Sequence, residues 1–505
     1  MINYRYTMMD VMGAMGMFEV GGIPKYTDLS FKFSLPTKKA GTFSLIGLGG
    51  MSKIKLEEDA GTGWTSDMLP GTQVFNGAKM GVIGLSNKYF LSNSTRVESS
   101  LSTSFSNSFN EVDTLRNDEY SKYYYDNYNE TRLLISSKLI SKINAKNTIQ
   151  GGVIVEQFFF NFYDENHNQQ TDEIINDTDI KESTGLYRGF VQLKHGFSDN
   201  LFLNAGIHSQ LFALNNSGMI EPRLGLKYSP GSKHSLSLGY GLHSQTQPKL
   251  IYFIQTQSAA SADEYTLTNK ELGFTKSHHF VAGYDYKISA NLRLKIEAYH
   301  QSLYNIPVEK RISYFSMANY GANFYNEKVD SLTNDGIGKN SGVELTFEKF
   351  LSKNFYFMLT TSLYDSKYQG SDKVWRNTAY NGNYTVNLLA GYELPIKSDA
   401  LSFNIKVVTA GGNRYIPIDL EQSILRGEAV YNYDEAYEPQ YDNYFRVDLR
   451  IAFRKNSPKI SQEWSFDAQN LTDRKNVLTQ RYDHDTQSVV DVLQMSFFPI
   501  GSWKI

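Results

Sequence analysis

A two-residue alternation of apolar and polar side chains recurs along this chain and limits its fold more than any other feature. From His234 to Thr246, leucine or tyrosine occupies positions 236, 238, 240 and 242, while serine, glycine, histidine or glutamine stands at the positions between them. Because successive side chains of a strand point to opposite faces, one face of this segment needs apolar surroundings and the other needs polar ones. Similar alternation returns in Thr95–Ser108 and Tyr444–Phe453. Strands of about 10 residues have the length that a tilted strand needs to cross a bilayer, whereas strands of soluble proteins average about 5 to 6.

Composition is compatible with a barrel but does not decide the matter. Among 505 residues there are 35 Tyr, 31 Phe and 4 Trp, and a barrel places many such rings at the two bilayer interfaces. The mean hydropathy is -0.41, and no apolar run approaches the roughly 18 residues of a membrane helix. A barrel with a polar lumen fits these values, and so does a large soluble β protein.

Cysteine and charge exclude several classes of function. With no cysteine, the chain has no disulfide framework, thiolate metal site or cysteine nucleophile. Lys and Arg number 50 and Asp and Glu 53, a net charge of -3 that argues against a nucleic-acid partner. The start, Met1–Tyr6, is typical of a strand rather than of a signal peptide, so we expect a processed or partial chain.

Short turns alternate with long polar stretches, and this asymmetry gives the chain a direction. Ser229–Lys233 is one of the predicted turns, and Phe109–Asn129 and Asp164–Ser183 are two of the predicted loops. Outer-membrane barrels combine short periplasmic turns with longer extracellular loops. We therefore predict an all-β fold, an antiparallel transmembrane β-barrel of about twenty strands, of which the first is near Ile2–Tyr6 and the last near Ser488–Phe498. No period of 40 to 50 residues supports a propeller instead.

Several stretches together carry a resemblance to one family. They are Ile220–Leu226, His243–Pro248, Gly336–Thr346, Ser362–Tyr368, Arg376–Tyr384, Arg414–Leu420, Tyr444–Arg450 and Asp467–Asn476. As a set, and over nearly the whole chain, they resemble the barrel portion of a TonB-dependent receptor of the Bacteroidetes type.

The resemblance implies a cell outer-membrane protein surrounded by lipid, with a nutrient ligand of unknown identity. It further implies a barrel of about 22 strands, a plug that fills the lumen, and a TonB-type inner-membrane coupling complex that acts through the N-terminal part. Nothing before Ile2 could form a plug or regulatory domain, and about twenty strands fall two short. We therefore expect residues 1–505 to be a single, N-terminally incomplete barrel.

The sequence offers no catalytic group, metal site or cofactor site. His278 and His279 are adjacent, so on a strand they point to opposite faces and cannot easily share a metal. His484 stands between two aspartates of a predicted loop, where a solvated surface is the simpler interpretation. We expect a protein that is not an enzyme.

Charged residues on predicted strands are assigned to the lumen, because a basic residue in the lipid face costs up to about 2 to 4 kcal/mol. They can form a docking surface for the plug or a polar substrate path, or they can be cross-strand ion pairs along a wet wall. The residues are Glu221, Arg223, Arg293, Lys295, Glu297, Glu344, Arg446, Asp448 and Arg450.

One register can be predicted from the turn Ser229–Lys233. If that turn is centred on Gly231, Glu221 lies opposite Gly241 and Arg223 opposite Gly239, where glycine leaves room for long side chains. His243 and Gln245 then lie toward the outer mouth.

Tyrosines of the predicted loops are the candidate ligand contacts. A tyrosine offers a flat apolar face and a hydroxyl, which suit sugars, aromatic chelates and peptides equally, and anchoring at the membrane interface also explains many of them. Together with His243 and Gln245, the candidates are Tyr123, Tyr124, Tyr125, Tyr415, Tyr431 and Tyr433.

Three classes of protein compete. The favoured one is the barrel of a receptor that takes up a nutrient, and the alternative is a passive outer-membrane pore or a surface-binding barrel. A secreted β enzyme would need convergent catalytic groups, which the sequence does not offer.

The barrel assignment predicts the behaviour of the expressed protein. It should partition to the outer membrane and migrate differently on a gel before and after boiling, because a closed barrel resists detergent until it is heated. Recovery of folded protein from the soluble fraction without detergent would contradict the assignment.

Overall fold

The structure, a computed structural model, describes residues 2–6, 25–57, 71–116, 119–168, 173–257, 265–322 and 327–505. The strands are β1 (Ile2–Tyr6), β2 (Lys25–Pro36), β3 (Thr42–Glu57), β4 (Thr72–Phe90), β5 (Thr95–Arg116), β6 (Glu119–Lys142), β7 (Asn147–Asn168), β8 (Glu173–Gly196), β9 (Leu201–Phe212), β10 (Ser217–Tyr228), β11 (His234–Gln245), β12 (Thr256–Gln257), β13 (Tyr265–Thr266), β14 (Thr275–Ser289), β15 (Leu292–Glu309), β16 (Leu332–Ser352), β17 (Phe355–Gln369), β18 (Trp375–Asn377), β19 (Tyr384–Ile396), β20 (Asp399–Ala410), β21 (Tyr444–Asn456), β22 (Ser461–Gln469), β23 (Val477–Asp483), β24 (Ser488–Leu493) and β25 (Phe498–Lys504). The helices are α1 (Lys249–Tyr252) and α2 (Leu420–Arg426). Within these ranges, no helix is long and apolar enough to cross a membrane.

One antiparallel sheet of 21 strands dominates the fold. Because β18 is only a three-residue addition beside β17, twenty of the 21 strands form the wall. Each wall strand pairs with the next along the chain, and in the described part of the chain β1 pairs only with β2 and β25 only with β22. The predicted all-β antiparallel fold of about twenty strands is confirmed.

The two faces of the wall differ as the alternation predicts. Leu238 lies opposite Leu226 on one neighbouring strand and Ala282 on the other, and its side chain is 60% exposed. Ser237 lies between Lys227 and Gly283 on the other face. Since directly opposite residues of paired strands share a face, the wall has an apolar outer face and a polar face toward the lumen.

Connections at the two ends of the wall are unequal. At one end, here called the turn end, neighbouring strands are joined by short turns such as 290–291 and 229–233. At the other, the loop end, the connections 246–274, 310–331, 411–443 and 470–497 are long. The predicted asymmetry is therefore present.

Two of the predicted loops are instead continuations of strands. Phe109–Asn129 and Asp164–Ser183 lie mostly in β5 to β8, which contain 22, 24, 22 and 24 residues. A membrane-spanning strand needs about 9 to 11 residues, so these four strands project well beyond the bilayer at the loop end. The prediction was wrong because polar residues on both faces are expected of a strand in water as well as of a loop.

The predicted last strand was also placed wrongly. Ser488–Leu493 forms β24, which pairs with β23 in a separate two-stranded hairpin of the last long connection. The wall ends instead with β25, which pairs with β22. Both segments are short and apolar, so the sequence does not distinguish them. The pairing of β25 with β22, across the connection 470–497, is what places β25 in the wall.

The register at the turn Ser229–Lys233 differs from the prediction by two residues. Arg223 lies opposite Gly241, and Gly225 lies opposite Gly239. The turn is longer than assumed, because the ladder closes at Tyr228 and Leu236. A Cβ atom at Gly241 would come within 2.5 Å of His243 Nε2, so glycine makes room there for the histidine ring.

The assignment of the lipid and lumen faces of β11 can be tested with one pair of variants. Leu238→Arg should reduce the folded yield far more than Ser237→Arg, because an arginine in the lipid face costs about 2 to 4 kcal/mol while the lumen tolerates charge. The measurement is the heat-modifiable fraction in purified outer membranes. Equal losses for the two variants would show that the faces are assigned wrongly.

Candidate functional site

Charged side chains of the lumen wall are largely paired with one another. Arg293 of β15 donates to Asp285 Oδ2 of β14 at 2.9 Å and to Glu348 Oε1 of β16 at 3.0 Å, so it links three adjacent strands. Arg450 of β21 donates to Asp467 Oδ2 at 2.9 Å and to Glu463 Oε1 at 3.0 Å on β22. These contacts favour the cross-strand ion-pair interpretation for both arginines.

Other predicted lumen charges pair within one strand. Lys295 pairs with Glu297, two residues along β15, and Arg446 Nε donates to Asp448 Oδ1 at 2.6 Å on β21. Such pairs keep the lumen wall close to neutral. Glu344 differs, because none of the described basic side chains lies within ion-pair distance of its carboxylate.

Glu221 is the centre of a buried polar network rather than an open docking group. Its side chain is 1% exposed and accepts hydrogen bonds from Arg223 Nη2 at 2.7 Å and Ser244 Oγ at 2.6 Å. His208 Nδ1 lies 2.8 Å away, and Gln210 Nε2 donates at 3.0 Å. A buried carboxylate needs this many partners, so we assign Glu221 to holding β9, β10 and β11 together.

The histidine candidates lie near the loop end of the lumen. The rings of His243 and His279 are 4.5 Å apart at their centroids, while His278 stacks on Tyr240 on the opposite face. Gln245 is the last residue of β11, opposite Thr275. Across the described ranges, no group of three or more metal-ligating side chains is close enough to hold a metal ion.

At the loop end, two long connections fold inward and pack against the lumen face of the projecting strands. The apolar core that results, here called the mouth cluster, joins the connections 246–274 and 310–331 and the first residue of β16 to the inner face of β6 to β9. It consists of Tyr128, Phe158, Phe160, Phe162, Ile180, Leu186, Phe212, Leu250, Ile251, Tyr252, Phe253, Ile254, Leu272, Phe274, Phe315 and Leu332.

Helix α1 supplies the central contacts of the mouth cluster. The ring of Phe253, just after α1, lies 5.7 Å from that of Phe160, and Tyr252 lies 5.1 Å from Phe212. The backbone N–H of Gln247 donates to the Tyr252 hydroxyl at 3.0 Å, and burial raises the pKa of this tyrosine to about 12. These rings fix the connection 246–274 against the wall, since each buried aromatic removes a large apolar area from water.

Lys249 is a half-buried cation beside these rings. Its Nζ atom lies 5.0 Å from the centroid of Phe158 and 5.6 Å from that of Phe212. Burial lowers the pKa of Lys249, and the carboxylates of Glu130 and Glu156 on the wall act in the opposite direction. The cation–π contacts and these carboxylates together compensate for its lost hydration.

Asparagine side chains join the inward-folded connections to one another. Asn269 is fully buried; its Nδ2 donates to the Val329 carbonyl at 2.8 Å and its Oδ1 accepts from the Leu332 N–H at 2.9 Å. Asn215, in the short link after β9, donates to the Leu272 carbonyl at 2.8 Å. Because these bonds satisfy buried backbone groups, they fix the described parts of the two connections to one another and to the link after β9.

An ion pair completes the attachment. Lys328 Nζ lies 2.7 Å from Asp164 Oδ2, and the Tyr128 hydroxyl donates to the same oxygen at 2.9 Å. Asp164 is fully buried on β7, and the lysine and the hydroxyl both contact its Oδ2 atom, while its Oδ1 atom has no hydrogen-bond partner among the described residues.

The tyrosine candidates of the later connections stack in pairs. Tyr415 lies on Tyr441 with a centroid distance of 4.2 Å, and Tyr433 lies on Tyr314 at 4.8 Å. Burial raises the pKa of both Tyr415 and Tyr441. Tyr431 is 6.3 Å from Tyr433 and 41% exposed. One face of Tyr415 and one of Tyr433 are thus already covered.

Tyr123, Tyr124 and Tyr125 are not brought together. They lie on β6 rather than in a loop, where Tyr125 points to the opposite face from Tyr124 and Tyr123 stands at a register shift in the pairing with β5. Tyr124 donates to Asp126 Oδ2 at 3.1 Å, whereas Tyr125 contacts Tyr163 and lies beneath the ammonium of Lys122. The strand assignment therefore corrects the prediction that these three tyrosines lie in a loop.

The mouth cluster was missed from the sequence, although one signal was present. The apolar run Leu250–Ile254 stands inside the polar stretch Gln247–Lys276, which was interpreted only as a loop. Five consecutive apolar residues in a loop are expected to be covered, because exposed runs of this kind are unfavourable in water. Which surface covers them could not be inferred.

Comparison with known proteins identifies the family of this chain. Among curated proteins, none matches it. The sequence model of a family described as TonB dependent receptor-like, beta-barrel matches residues 41–471.

Solved structures with a similar fold include three iron-uptake receptors. The ferric preacinetobactin receptor BauA of Acinetobacter baumannii is 11% identical, with a TM-score of 0.65 over 99% of this chain and 74% of its own. The ferric-catecholate import receptor Fiu of E. coli K12 is 10% identical, with a TM-score of 0.66 over 95% and 74%. The ferric yersiniabactin uptake receptor FyuA of Yersinia pestis is 11% identical, with a TM-score of 0.64 over 95% and 70%. At these identities the likeness shows the fold alone.

The wall of twenty paired strands, with an apolar outer face and long connections at one end, has the architecture of an outer-membrane β-barrel. Because the family pattern covers most of its length, the chain belongs to the TonB-dependent receptor-like β-barrel family. Proteins of this family are outer-membrane transporters rather than enzymes, and they act with a plug, a TonB coupling complex and a ligand.

The mouth cluster can be tested by loosening it. Phe253→Ala removes a ring that is 1% exposed, and such a truncation in a packed core costs about 3 to 5 kcal/mol. Protease added to the folded barrel should then cleave the connection 246–274 at least about tenfold faster, because the connection opens locally.

A matched control is Leu425→Ala, which truncates a 73% exposed apolar side chain of another connection. Cleavage of 246–274 should be unchanged in that variant. Equal cleavage of the Phe253→Ala variant and the wild-type protein would show that this connection is not held by the cluster.

Proposed function

We propose that this chain is the barrel of an outer-membrane receptor that takes up a nutrient, together with a plug and a TonB-type coupling complex. The ligand would be captured among the connections of the loop end, and passage would follow rearrangement of the plug rather than covalent chemistry. The stretches that carry the sequence resemblance support a receptor of the Bacteroidetes type.

The mouth cluster is the observation that carries this proposal. It holds two long connections across the mouth by aromatic contacts, amide hydrogen bonds and the Lys328–Asp164 ion pair. A passive pore conducts best through an open mouth, whereas a receptor needs a shaped surface that meets the ligand before the channel does. Connections packed against the lumen wall at the mouth therefore favour the receptor over the alternative of a passive pore or a surface-binding barrel.

The lumen wall below the mouth is suited to contact with a plug. Most of its charges are paired along the wall, as with Arg293 and Arg450, so the wall keeps its shape without a partner. Exposed apolar side chains on the lumen face, such as those of Ile46, Leu48 and Met80, would gain from being covered. We propose that the plug covers this part of the lumen wall.

Transport can be tested with residues 1–505 alone and with the same chain joined to a plug. The barrel alone should admit small solutes passively, because a wall of twenty strands encloses an aqueous lumen unless something fills it. Cells with the joined form should deplete components of the growth medium only when the inner-membrane coupling protein is present. The measurement is the composition of the medium over time, compared with cells lacking the barrel.

Two results would contradict the proposal. Coupling-dependent uptake by residues 1–505 alone would show that no separate plug is needed. Identical, passive depletion with and without the coupling protein in the joined form would favour a pore.

A further inference from the structure

A hollow of about 470 Å³ opens on the lumen side of β14 to β17, below the connection that follows β17. Three tyrosines and two glutamates are among its lining residues: Tyr299, Tyr364, Tyr380, Glu297 and Glu344. Tyr380 comes from the connection itself, and its hydroxyl donates to the Tyr320 carbonyl at 3.2 Å. The connection after β17 therefore contributes one side of the hollow, which opens toward the lumen.

The aromatic side of the hollow is built into the wall. A Cβ atom at Gly342 would stand 2.6 Å from the Tyr299 hydroxyl oxygen and 2.7 Å from Cζ, so the ring of Tyr299 lies over this glycine of the next strand. The absence of a side chain at Gly342 allows the ring to lie along the wall. Placed in this way, Tyr299 can offer a π face to a ligand.

The acidic side of the hollow carries charge that the wall does not neutralise. Glu297 and Glu344 are directly opposite one another on β15 and β16, a placement that destabilises a sheet because the charges repel. Lys295 pairs with Glu297, and no other basic side chain of the described ranges lies within ion-pair distance of either glutamate. One carboxylate, that of Glu344, is left for an external cation.

Neutral polar groups beside the hollow are already engaged with one another. Asn340 Nδ2 donates to Gln301 Oε1 at 2.9 Å, Ser366 Oγ donates to Asn340 Oδ1 at 2.7 Å, and Thr378 Oγ1 donates to Ser366 Oγ at 2.9 Å. This chain of bonds occupies donors that would otherwise suit an anion. The groups left to a ligand include the Glu344 carboxylate and tyrosine faces, which both favour a positive charge.

We propose that this hollow binds a primary ammonium or guanidinium group of the ligand that the receptor takes up. The inference rests on the proposed transport function and adds a chemical class to it. The cation would lie between Glu344 and the ring of Tyr299, where it relieves the repulsion between the two opposed glutamates. A neutral sugar could stack on the same tyrosine rings, but it would leave the repulsion between Glu297 and Glu344 in place.

Equilibrium binding to the purified 505-residue chain in lipid nanodiscs tests the proposal. The probes are trilysine, triglutamate and maltotriose, measured by calorimetry at low ionic strength. Trilysine should bind, and the other two should not. Glu344→Gln should weaken trilysine binding about tenfold, because it removes a charge-assisted contact, and Tyr299→Leu should weaken it to a similar extent through loss of the π face.

Glu348→Gln is the matched control. Glu348 lies four residues further along β16 on the same lumen face, but it is paired with Arg293 at 3.0 Å. Removing its charge changes the total lumen charge as much as Glu344→Gln does, so a general attraction to the lumen would be weakened equally by the two variants. If the hollow is the site, Glu348→Gln should change binding less than about twofold. All variants must first show the heat-modifiable mobility of a folded barrel.

Equal weakening by Glu344→Gln and Glu348→Gln would overturn the proposal, since it would reveal only a general attraction to the lumen. Binding of maltotriose with sensitivity to Glu344→Gln and no binding of trilysine would overturn it in favour of a sugar. Binding is measured without energy coupling, so it separates the two hypotheses. Trilysine binding without coupled uptake contradicts only the transport proposal, and coupled uptake without trilysine binding contradicts only the assignment of the hollow.

Discussion

Pairing of backbone groups between neighbouring strands is the constraint on which the rest of this structure depends. Lipid offers no hydrogen-bonding partner, and an unpaired N–H or C=O in it costs several kcal/mol, so each spanning strand must be bonded along its length. The ladder between β5 and β6 shows this continuity, from the pair Thr95 and Ser141 at the turn end to Arg116 and Glu119 at the loop end. A ladder of this kind fixes the direction of every side chain, which is why apolar and polar residues must alternate.

Lumen electrostatics follow from the same alternation. Charges excluded from the lipid face collect on the inner one, where neighbouring strands bring them close enough to pair, as Arg293 does with Asp285 and Glu348. Paired charges contribute shape and little net potential. A position where two like charges face each other, such as Glu344 opposite Glu297, therefore indicates which charge a ligand in the lumen should carry.

Strand length connects the barrel to the mouth. Because β6 to β8 continue beyond the bilayer, their inner faces provide an apolar surface, including Phe158 and Phe160, that would otherwise be exposed to water. The connection 246–274 covers this surface with α1 and Phe253. The prediction of loops at Phe109–Asn129 and Asp164–Ser183 missed this relation, since a polar strand in water and a polar loop have similar compositions.

The sequence by itself determined the fold class, the approximate number of strands, the two faces of each strand and the unequal ends, because all four depend on a local period of two and on turn residues between strands. It also assigned Arg293, Glu297 and Arg450 to the lumen by that period. Only the tertiary structure decided that Glu221 is buried among His208, Gln210 and Ser244, that β25 rather than Ser488–Leu493 completes the wall, and that Phe253 meets Phe160. These contacts join residues of different strands and connections, and their geometry is set by strand register, which no local pattern specifies.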